Sequence, residues 1–352
     1  MQTLRLASIP GDGIGQEVVP AAVRVLRAVE QLHGGLRFEV AEFPWSCEFY
    51  LRTGAMMPED GLETLAGFDA ILLGAVGNPA LVPDHVSLWG LLIAIRRSFD
   101  LAVNIRPARS FRGIRSPLRS NEPFDLLVVR ENSEGEYSEI GGRIYRDADE
   151  IALQTAVFSR RGVERAVRYA FDAAGGRRGS VTSATKSNGI VHTMPFWDEV
   201  FRAVGADYPG VAARAMHVDA LAAAMVLRPE TFDVVVASNL FGDILTDLSA
   251  ALMGGVGLAA SANLNAEGRF PPMFEPVHGS APDISGRGIA NPMGQIWSAA
   301  LLLRHFDQAE LADRVVEALD AATRDGCLTP DIGGRSTTME FTDRVVAELQ
   351  GR

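Results

Sequence analysis

Lysine is almost absent from this sequence of 352 residues: of its 33 basic residues, only Lys186 is lysine and the rest are arginine. Arginine stays protonated in any protein environment, whereas lysine can lose its proton when it is desolvated or placed beside other cations. Lys186 is therefore a candidate base. The alternative is that an arginine-rich composition leaves one lysine by chance.

Cysteine is also scarce, with only Cys47 and Cys327 in the chain. Two distant cysteines exclude a disulfide framework and a thiolate metal site. No apolar run approaches the ~20 residues that span a bilayer, and the first residues lack the apolar segment of a signal peptide. We therefore predict a cytoplasmic protein with no membrane partner.

Positive charge is outnumbered, because 44 acidic residues give a formal net charge of −11. This balance argues against a nucleic acid partner, since phosphate binding needs a basic surface. The net charge does not argue against a small anionic substrate, because a local arginine cluster can reverse the field inside a cleft. The length exceeds that of a single core, so two domains are expected.

Short apolar runs alternate with longer segments of helical periodicity, which predicts an α/β fold with a substantial parallel component. A helix is predicted from about Gln16 to Gln31. Strands are predicted at Leu4–Ile9, Phe38–Phe43, Ala70–Leu73, Leu126–Val129, Val181–Ala184 and Asp233–Ala237. Residues 138–160 carry a glycine pair and β-prone runs, which predict a protruding hairpin.

Two aspartates, Asp243 and Asp247, lie four residues apart in the motif NLFGDILTDLS. On a helix they share one face at a distance of about 6 Å, where like charges repel unless a cation lies between them. Paired carboxylates suit Mg²⁺ or Mn²⁺. The alternative is a solvated helix face, which the apolar neighbours Phe241 and Ile244 disfavour.

Asp219 and Tyr137 each allow two interpretations. Asp219 follows an apolar run and opens a helix-like stretch, so it is either an N-cap or a third metal ligand and partner of Lys186. Tyr137 lies among four glutamates, where its phenol is either a proton donor or a packed ring with a solvated hydroxyl.

Arginines cluster near the middle of the chain, and Arg96, Arg106 and Arg130 are candidates for binding carboxylates. A guanidinium group matches a carboxylate with two parallel hydrogen bonds. Ordinary surface ion pairing is the alternative. Arg130 is the stronger candidate, because it ends an apolar strand at 125–129, where open α/β sheets collect binding residues.

Glycine-rich segments indicate where a dinucleotide would approach the backbone. The GDGIG turn at 11–15 lacks the third glycine of the usual fingerprint, and Asp12 would repel a pyrophosphate. Residues 254–263 and 275–292 offer small side chains and backbone N–H groups. Asp283 in the latter can accept both ribose hydroxyls of NAD and would repel the 2′-phosphate of NADP.

Together, the motifs GDGIG, RENSEGEY, TKSNG, HVDA, NLFGDILTDL and EPVHGSAPDISGRGIANP resemble the β-decarboxylating dehydrogenases, which include the isopropylmalate, isocitrate, tartrate and D-malate enzymes. The resemblance covers nearly the whole chain. It implies an isopropylmalate-dehydrogenase-like fold of two α/β domains that share a mixed sheet. A large NAD-binding domain would comprise 1–101 and 254–352, and a small domain would comprise 102–253. The arm at about 138–160 would clasp a second subunit.

The resemblance also implies a homodimer with shared active sites, in which Lys186 and Asp219 act in the partner's cleft. The implied catalytic residues are Tyr137, Lys186 and Asp219. The implied substrate-binding residues are Arg96, Arg106, Arg130, Ser87 and Trp89. The implied metal ligands are Asp219, Asp243 and Asp247. The implied cofactor-binding residues are Ile14, Asn188, Val256, Gly257, His278, Gly279, Asp283, Ile284 and Asn291.

Residues 82–97 resemble the tartrate and D-malate branch, in which Trp89 would fill the space that relatives leave for a larger C3 substituent. The predicted function is NAD-dependent and Mg²⁺- or Mn²⁺-dependent oxidation of tartrate and oxidative decarboxylation of (R)-malate to pyruvate and CO₂. Decarboxylation of meso-tartrate and a K⁺ requirement are further candidates. The alternatives are a 3-isopropylmalate dehydrogenase, a non-catalytic regulatory subunit, and a lyase that regenerates its NAD.

Overall fold

Residues 2–120 and 122–351 are described by the structure, which is a computed structural model. The chain divides into two compact units, and neither is continuous in sequence. The terminal unit comprises Met1–Asp100, Arg109–Arg119 and Ala250–Arg352, so it includes both ends of the chain. The central unit comprises Leu101–Ala108 and Ser120–Ser249.

The described part of the terminal unit contains the strands β1 (Gln2–Gly11), β2 (Leu36–Glu42), β3 (Ala70–Ala75), β11 (Ala260–Leu264) and β12 (Met273–Pro276). Their spatial order is β2-β1-β3-β12-β11, with β11 antiparallel to β12 and the other pairs parallel. The helices are α1 (Gly15–His33), α2 (Cys47–Thr53), α3 (Gly61–Ala66), α4 (Asp84–Gly90), α5 (Leu92–Ser98), α10 (Met293–His305), α11 (Ala309–Arg324) and α12 (Thr338–Gln350).

The sheet of the central unit contains β4 (Val103–Arg109), β5 (Asp125–Glu131), β8 (Ser180–Thr185), β9 (Ala212–His217) and β10 (Val234–Ala237). Their spatial order is β4-β5-β10-β8-β9, and β5, β10, β8 and β9 run parallel. The helices are α6 (Arg160–Gly175), α7 (Thr193–Gly205), α8 (Val218–Leu227) and α9 (Asn239–Met253). Within the described ranges, no helix is both long and apolar enough to cross a membrane.

The apolar patterns in the sequence correspond to the elements that form. All the predicted strands and the predicted helix are confirmed, with ends shifted by one or two residues. Every residue of β3 is buried, as expected for an inner parallel strand. Helix α1 buries one apolar face and ends at Gly34, whose φ of 63° is the left-handed conformation that glycine tolerates best.

The predicted hairpin is formed by β6 (Gly141–Ile144) and β7 (Ile151–Gln154), which pair antiparallel. Every residue of both strands is exposed in the single chain. The exposed residues include the large apolar side chains Ile140, Ile144, Tyr145, Ile151 and Leu153. Its contact with a second subunit stays a prediction.

The two units differ from the predicted domain boundaries at 101, 109–119 and 250–253, and 109–119 is the longest of these stretches. Residues 109–119, assigned above to the small domain, pack within the terminal unit. The Arg112 backbone N–H and side-chain Nε both donate to Asp320, at 2.8 and 2.6 Å. Gly113 approaches the backbone so closely that a Cβ there would lie 2.1 Å from the Thr323 carbonyl oxygen. These long-range contacts leave no local signal in the sequence.

Candidate active site

Two buried arginines of the central unit converge on one carboxylate. Arg106 lies on β4 and Arg130 on the neighbouring strand β5. Arg130 Nη1 donates to Asp243 Oδ1, and Arg106 Nη2 lies 3.5 Å from the same oxygen. Helix α9 brings Asp243 this close because Gly242 packs on Arg130, where a Cβ would lie 2.7 Å from Arg130 Cγ. The motif FGD therefore has a steric reason.

Asp243 and Asp247 share a face of α9, as their spacing predicts. Arg106 Nη1 lies 3.8 Å from Asp247 Oδ1. Although 67% of the Asp247 side chain is exposed, partial desolvation raises its pKa above the ordinary value, and Asp243 adds to the rise while Arg106 and Arg130 oppose it. These two carboxylates fit a hard divalent cation, because both present oxygen ligands on one face.

Tyr137 joins this arginine cluster from the loop after β5. Its hydroxyl donates to Asp243 Oδ2 at 3.0 Å, and its ring centroid lies 5.6 Å from Arg130 Cζ. Burial, followed by the charge of Asp243, raises the pKa of Tyr137 above its ordinary value. The phenol therefore keeps its proton at neutral pH and is available as a donor.

Lys186 and Asp219 form a separate pair in the same unit. Lys186 Nζ donates to Asp219 Oδ1 at 2.8 Å, and 66% of the Asp219 side chain is exposed. The hydrogen bond from Lys186, followed by local backbone N–H groups, lowers the pKa of Asp219. Asp219 is not the N-cap, since His217 precedes α8 in that position. Among the described residues, Asp219 forms no group of three potential metal ligands with Asp243 and Asp247.

These side chains share one edge of the parallel strands. Arg130 lies near the carboxyl end of β5, Lys186 follows β8, and Asp219 follows β9 by two residues. Helix α9 carries Asp243 and begins two residues after the end of β10. The carboxyl edge of an open parallel sheet is where binding residues collect.

The predicted substrate residue Arg96 lies in the terminal unit, on α5. Its Nη2 is 2.5 Å from Glu275 Oε1, which also accepts from Asn263 Nδ2 at 2.7 Å. Arg96 Nε is buried and has no hydrogen-bond partner among the described residues. Arg96 is thus held at one end by Glu275 and keeps an unused donor.

Ser87 and Trp89 lie on α4 in the terminal unit, and the structure places them differently. Ser87 is fully buried, and its Oγ donates to the Pro83 carbonyl oxygen at 3.4 Å. Trp89 is 41% exposed, and Arg97 Cζ lies 4.5 Å from its ring centroid. Trp89 is therefore accessible to a ligand, whereas the buried Ser87 side chain is hydrogen-bonded within the first turn of α4.

The structure brings the GDGIG turn against the segment that follows β12. Ile14 N donates to the Ser280 carbonyl oxygen at 2.8 Å, and a Cβ on Gly13 would lie 1.9 Å from that oxygen. Ile14 belongs to a small apolar cluster on which Ile284 packs. Two segments far apart in sequence, both predicted to contact the dinucleotide, therefore lie side by side.

Other predicted cofactor residues occupy the same unit. His278 is buried, and burial lowers its pKa, so the ring is neutral. Its Nε2 is buried without a partner in the described part of the chain, so a ligand has an orphaned polar atom to contact. Asn291 donates to Asp331 Oδ2 at 3.0 Å, and a Cβ on Gly257 would lie 2.8 Å from that oxygen. The exposed cofactor candidates are Asn188, Val256, Gly279 and Asp283. This donor set fits a dinucleotide.

Sequence reasoning missed the structural role of Asp12. Its two carboxylate oxygens accept hydrogen bonds from Cys47 N and Gly77 N, both at 2.8 Å. Asp12 thereby ties together three loops at the carboxyl end of β1. Burial, and next the hydrogen bond with Asp12, raises the pKa of Cys47 to about 11. The only available signal was the position of Asp12 between two glycines.

Comparison with known proteins gives a consistent result. The family described as isocitrate/isopropylmalate dehydrogenase matches residues 5–345. A probable tartrate dehydrogenase/decarboxylase of Bacillus subtilis is 59% identical over 350 residues, which cover 99% of each chain. A D-malate dehydrogenase [decarboxylating] of Escherichia coli is 50% identical over 357 residues, which cover 98% of each chain. The crystal structure of isocitrate dehydrogenase from Methylococcus capsulatus superposes with a TM-score of 0.87, 34% identity and 99% coverage of both chains.

Proposed function

We propose, because this chain belongs to the isocitrate/isopropylmalate dehydrogenase family, that it oxidises tartrate and oxidatively decarboxylates (R)-malate to pyruvate and CO₂. The chain is an oxidoreductase of that family, whose dehydrogenases typically use NAD and a divalent metal ion. The relatives named as tartrate and D-malate enzymes support this choice of substrate. The convergence of Arg106, Arg130 and Tyr137 on Asp243 is the observation that carries the proposal.

Arg106 and Arg130 are proposed to bind the substrate carboxylates. Both guanidinium groups are held rigidly, which suits the planar, two-point recognition of a carboxylate. Arg106 Nε donates to Asn104 Oδ1 at 2.9 Å, and Arg130 Nη2 donates to Asn239 Oδ1 at 2.7 Å. Arg96, with its unused Nε donor, is proposed as the third arginine.

The proton transfers are assigned to Lys186 and Tyr137. Lys186 takes the C2 hydroxyl proton as hydride leaves C2 for NAD⁺, and this role requires a neutral amine. After CO₂ is lost from the resulting keto acid, Tyr137 gives its proton to C3 and yields pyruvate. The raised pKa of Tyr137 supports this role, because it keeps the phenol protonated before each turnover.

Asp243 and Asp247, with Asp219 of the partner subunit, are proposed to hold Mg²⁺ or Mn²⁺. A bound divalent cation supplies polarisation of the C2 oxygen and stabilises negative charge there. Asp283 is proposed to select NAD, because an exposed carboxylate repels the 2′-phosphate of NADP.

A homodimer is proposed as the catalytic unit. The exposed apolar side chains of the hairpin, Ile144, Ile151 and Leu153 among them, would be buried by a second copy. Lys186 and Asp219 are proposed to act in the partner's cleft, and their accessibility at the carboxyl edge supports this role. A K⁺ requirement belongs to the same proposal and is tested by replacing K⁺ with Na⁺.

A substrate panel with NADH absorbance tests the proposal. We expect turnover of (R)-malate and of tartrate isomers, and little with 3-isopropylmalate or isocitrate. A preference for 3-isopropylmalate would instead support the alternative dehydrogenase. Turnover of none of them would point to a regulatory subunit, and CO₂ release without NADH would point to a lyase.

Trp89 provides the matched specificity test. If its ring fills the space beside C3, Trp89→Leu raises kcat/KM for 3-isopropylmalate relative to (R)-malate by roughly tenfold or more. Leu51→Ala, at an exposed position on α2 that carries no proposed site residue, serves as the control. An unchanged ratio in Trp89→Leu would remove Trp89 from the substrate pocket.

A further inference from the structure

Asn239 contacts both Arg130 and the loop that carries Tyr137, and it has no role of its own in the proposed chemistry. It is the first residue of α9, follows β10 closely, and is 4% exposed. Its Oδ1 accepts two hydrogen bonds from Arg130, from Nε at 3.0 Å and from Nη2 at 2.7 Å. Its Nδ2 donates to the Glu134 carbonyl oxygen at 3.0 Å. Both ends of one amide are therefore used.

The two hydrogen bonds to Oδ1 determine the orientation of Arg130. A guanidinium group is planar, and its five donors have fixed directions. Because Asn239 occupies the edge made by Nε and Nη2, Nη1 points to Asp243 Oδ1. Asn239 thus fixes which donor of Arg130 faces the substrate-binding side.

The hydrogen bond from Nδ2 secures the loop that carries Tyr137. Glu134 lies three residues before Tyr137, and its backbone is also held by Glu131, whose Oε2 accepts from Glu134 N at 2.9 Å. The Glu134 carboxylate accepts from the backbone N–H and hydroxyl of Ser159 at 2.7 and 2.6 Å. Asn239 links this loop to α9 through the Glu134 carbonyl oxygen, beside a longer contact in which Glu136 Oε2 accepts from Leu240 N at 3.3 Å.

We propose that Asn239 is a positioning residue that holds Arg130 and Tyr137 within hydrogen-bonding distance of Asp243. Only a side chain with an acceptor and a donor can serve both partners from one buried point. The inference rests on the proposed function for the roles of Arg130 and Tyr137. Alanine at this position removes both contacts, whereas aspartate keeps the acceptor and removes the donor.

The kinetic test uses Asn239→Ala. We expect a KM for the hydroxy acid raised about tenfold and a lower kcat, with the KM for NAD⁺ unchanged within about twofold. The control is Asn265→Ala, because Asn265 is buried in the terminal unit and its Nδ2 donates to the Phe99 and Asp100 carbonyl oxygens. Asn265→Ala should lower the unfolding temperature and leave both KM values unchanged. Wild-type kinetics in Asn239→Ala would overturn the inference.

Coupling and spectroscopy separate positioning from general stability. In an Arg130→Lys background, Asn239→Ala should raise the KM no further, because Lys offers no fork to orient. The Arg130 Nε–H resonance, assigned by its loss in Arg130→Lys, should be protected from exchange in the wild type and in Asn239→Asp, but not in Asn239→Ala. Additive KM effects, or an unprotected wild-type signal, would contradict the inference.

If Asn239→Ala fails to fold, Asn239→Asp tests the positioning role instead, because aspartate has nearly the same volume as asparagine. It should lower kcat through the freed loop while keeping the Arg130 signal, and an unchanged kcat would overturn the role of Nδ2. Kinetics are scored with whichever hydroxy acid the wild type oxidises. A different substrate preference would therefore contradict the proposed function alone, and the resonance test needs no turnover.

Discussion

The central unit contains two cation–carboxylate arrangements of opposite character. In the arginine cluster, Arg106 and Arg130 keep only 9% and 5% of their side chains exposed, and they share Asp243. In the lysine pair, Lys186 is 30% and Asp219 is 66% exposed. The cluster is cross-linked through Asn239 and Tyr137 within one chain, whereas the pair has room for a further ligand on its carboxylate.

Burial explains the difference in residue type. A charge removed from water must be paired and hydrogen-bonded, and arginine offers the donors to achieve this. An accessible ion pair contributes little to stability, so its residues can be chosen for proton transfer. We therefore expect the cluster to control binding and stability, and the pair to control turnover.

The largest expected effect is on Lys186. Lys186→Arg keeps the positive charge but removes the base, so kcat should fall by roughly a thousandfold with the substrate still bound. Steady-state kinetics and calorimetric titration with (R)-malate measure the two quantities. A partial return of activity when methylamine is added to Lys186→Ala would support the assignment, and wild-type turnover in Lys186→Arg would refute it.

Arg130→Lys should affect binding instead. Lysine cannot reproduce the paired donors toward Asn239 and Asp243, so kcat/KM should fall by about a hundredfold, chiefly through KM. The matched control is Arg177→Lys, because Arg177 bridges Asp125 and Asp233 at the opposite end of the strands. That control should destabilise the fold without changing KM. An unchanged KM in Arg130→Lys would contradict the expectation that the arginine cluster controls substrate binding.

Much of the lysine pair and the arginine cluster was predictable from local sequence. Arg130 and Lys186 come at or after apolar strands, and the spacing of Asp243 and Asp247 fixes a shared helix face. The strands that carry them, β5 and β8, were predicted for the same reason: short apolar runs are bounded by polar or glycine residues.

What the sequence did not reveal depends on contacts between distant residues. Strand β4 was missed because Arg106 and Pro107 interrupt its apolar run, and β12 was missed because Glu275 and Pro276 make up half of its four residues. Asn239 meets Arg130 across 109 positions and Glu134 across 105. Periodicity describes one element at a time, so it predicts which face of an element is buried but not which side chains meet there.

The free energy of unfolding also distinguishes the arginine cluster from the lysine pair. Two substitutions, one in each, remove a single negative charge. Asp243→Asn leaves two buried guanidinium groups poorly compensated and should lower the free energy of unfolding by roughly 1–2 kcal/mol in metal-free protein. Asp219→Asn should lower the free energy of unfolding much less, because its carboxylate is solvated and its ion pair with Lys186 is exposed. Denaturant titration of both variants measures the contrast. Equal destabilisation would mean that the lysine pair is structural.

The smallest expected effect is a divergence of two aspartate titrations. Asp247 should titrate above the ordinary 3.8, since burial disfavours its charged form, and Asp219 below it, since Lys186 favours the charged form. The charged Asp219 therefore stabilises the fold slightly above pH 3.8, and this contribution is lost as the pH falls through its lowered pKa. Carboxyl ¹³C shifts of metal-free protein measure both. In Lys186→Met the Asp219 titration should return toward 3.8 while that of Asp247 stays unchanged. Coincident titrations in the wild type would contradict the opposite effects of partial desolvation at Asp247 and of Lys186 at Asp219.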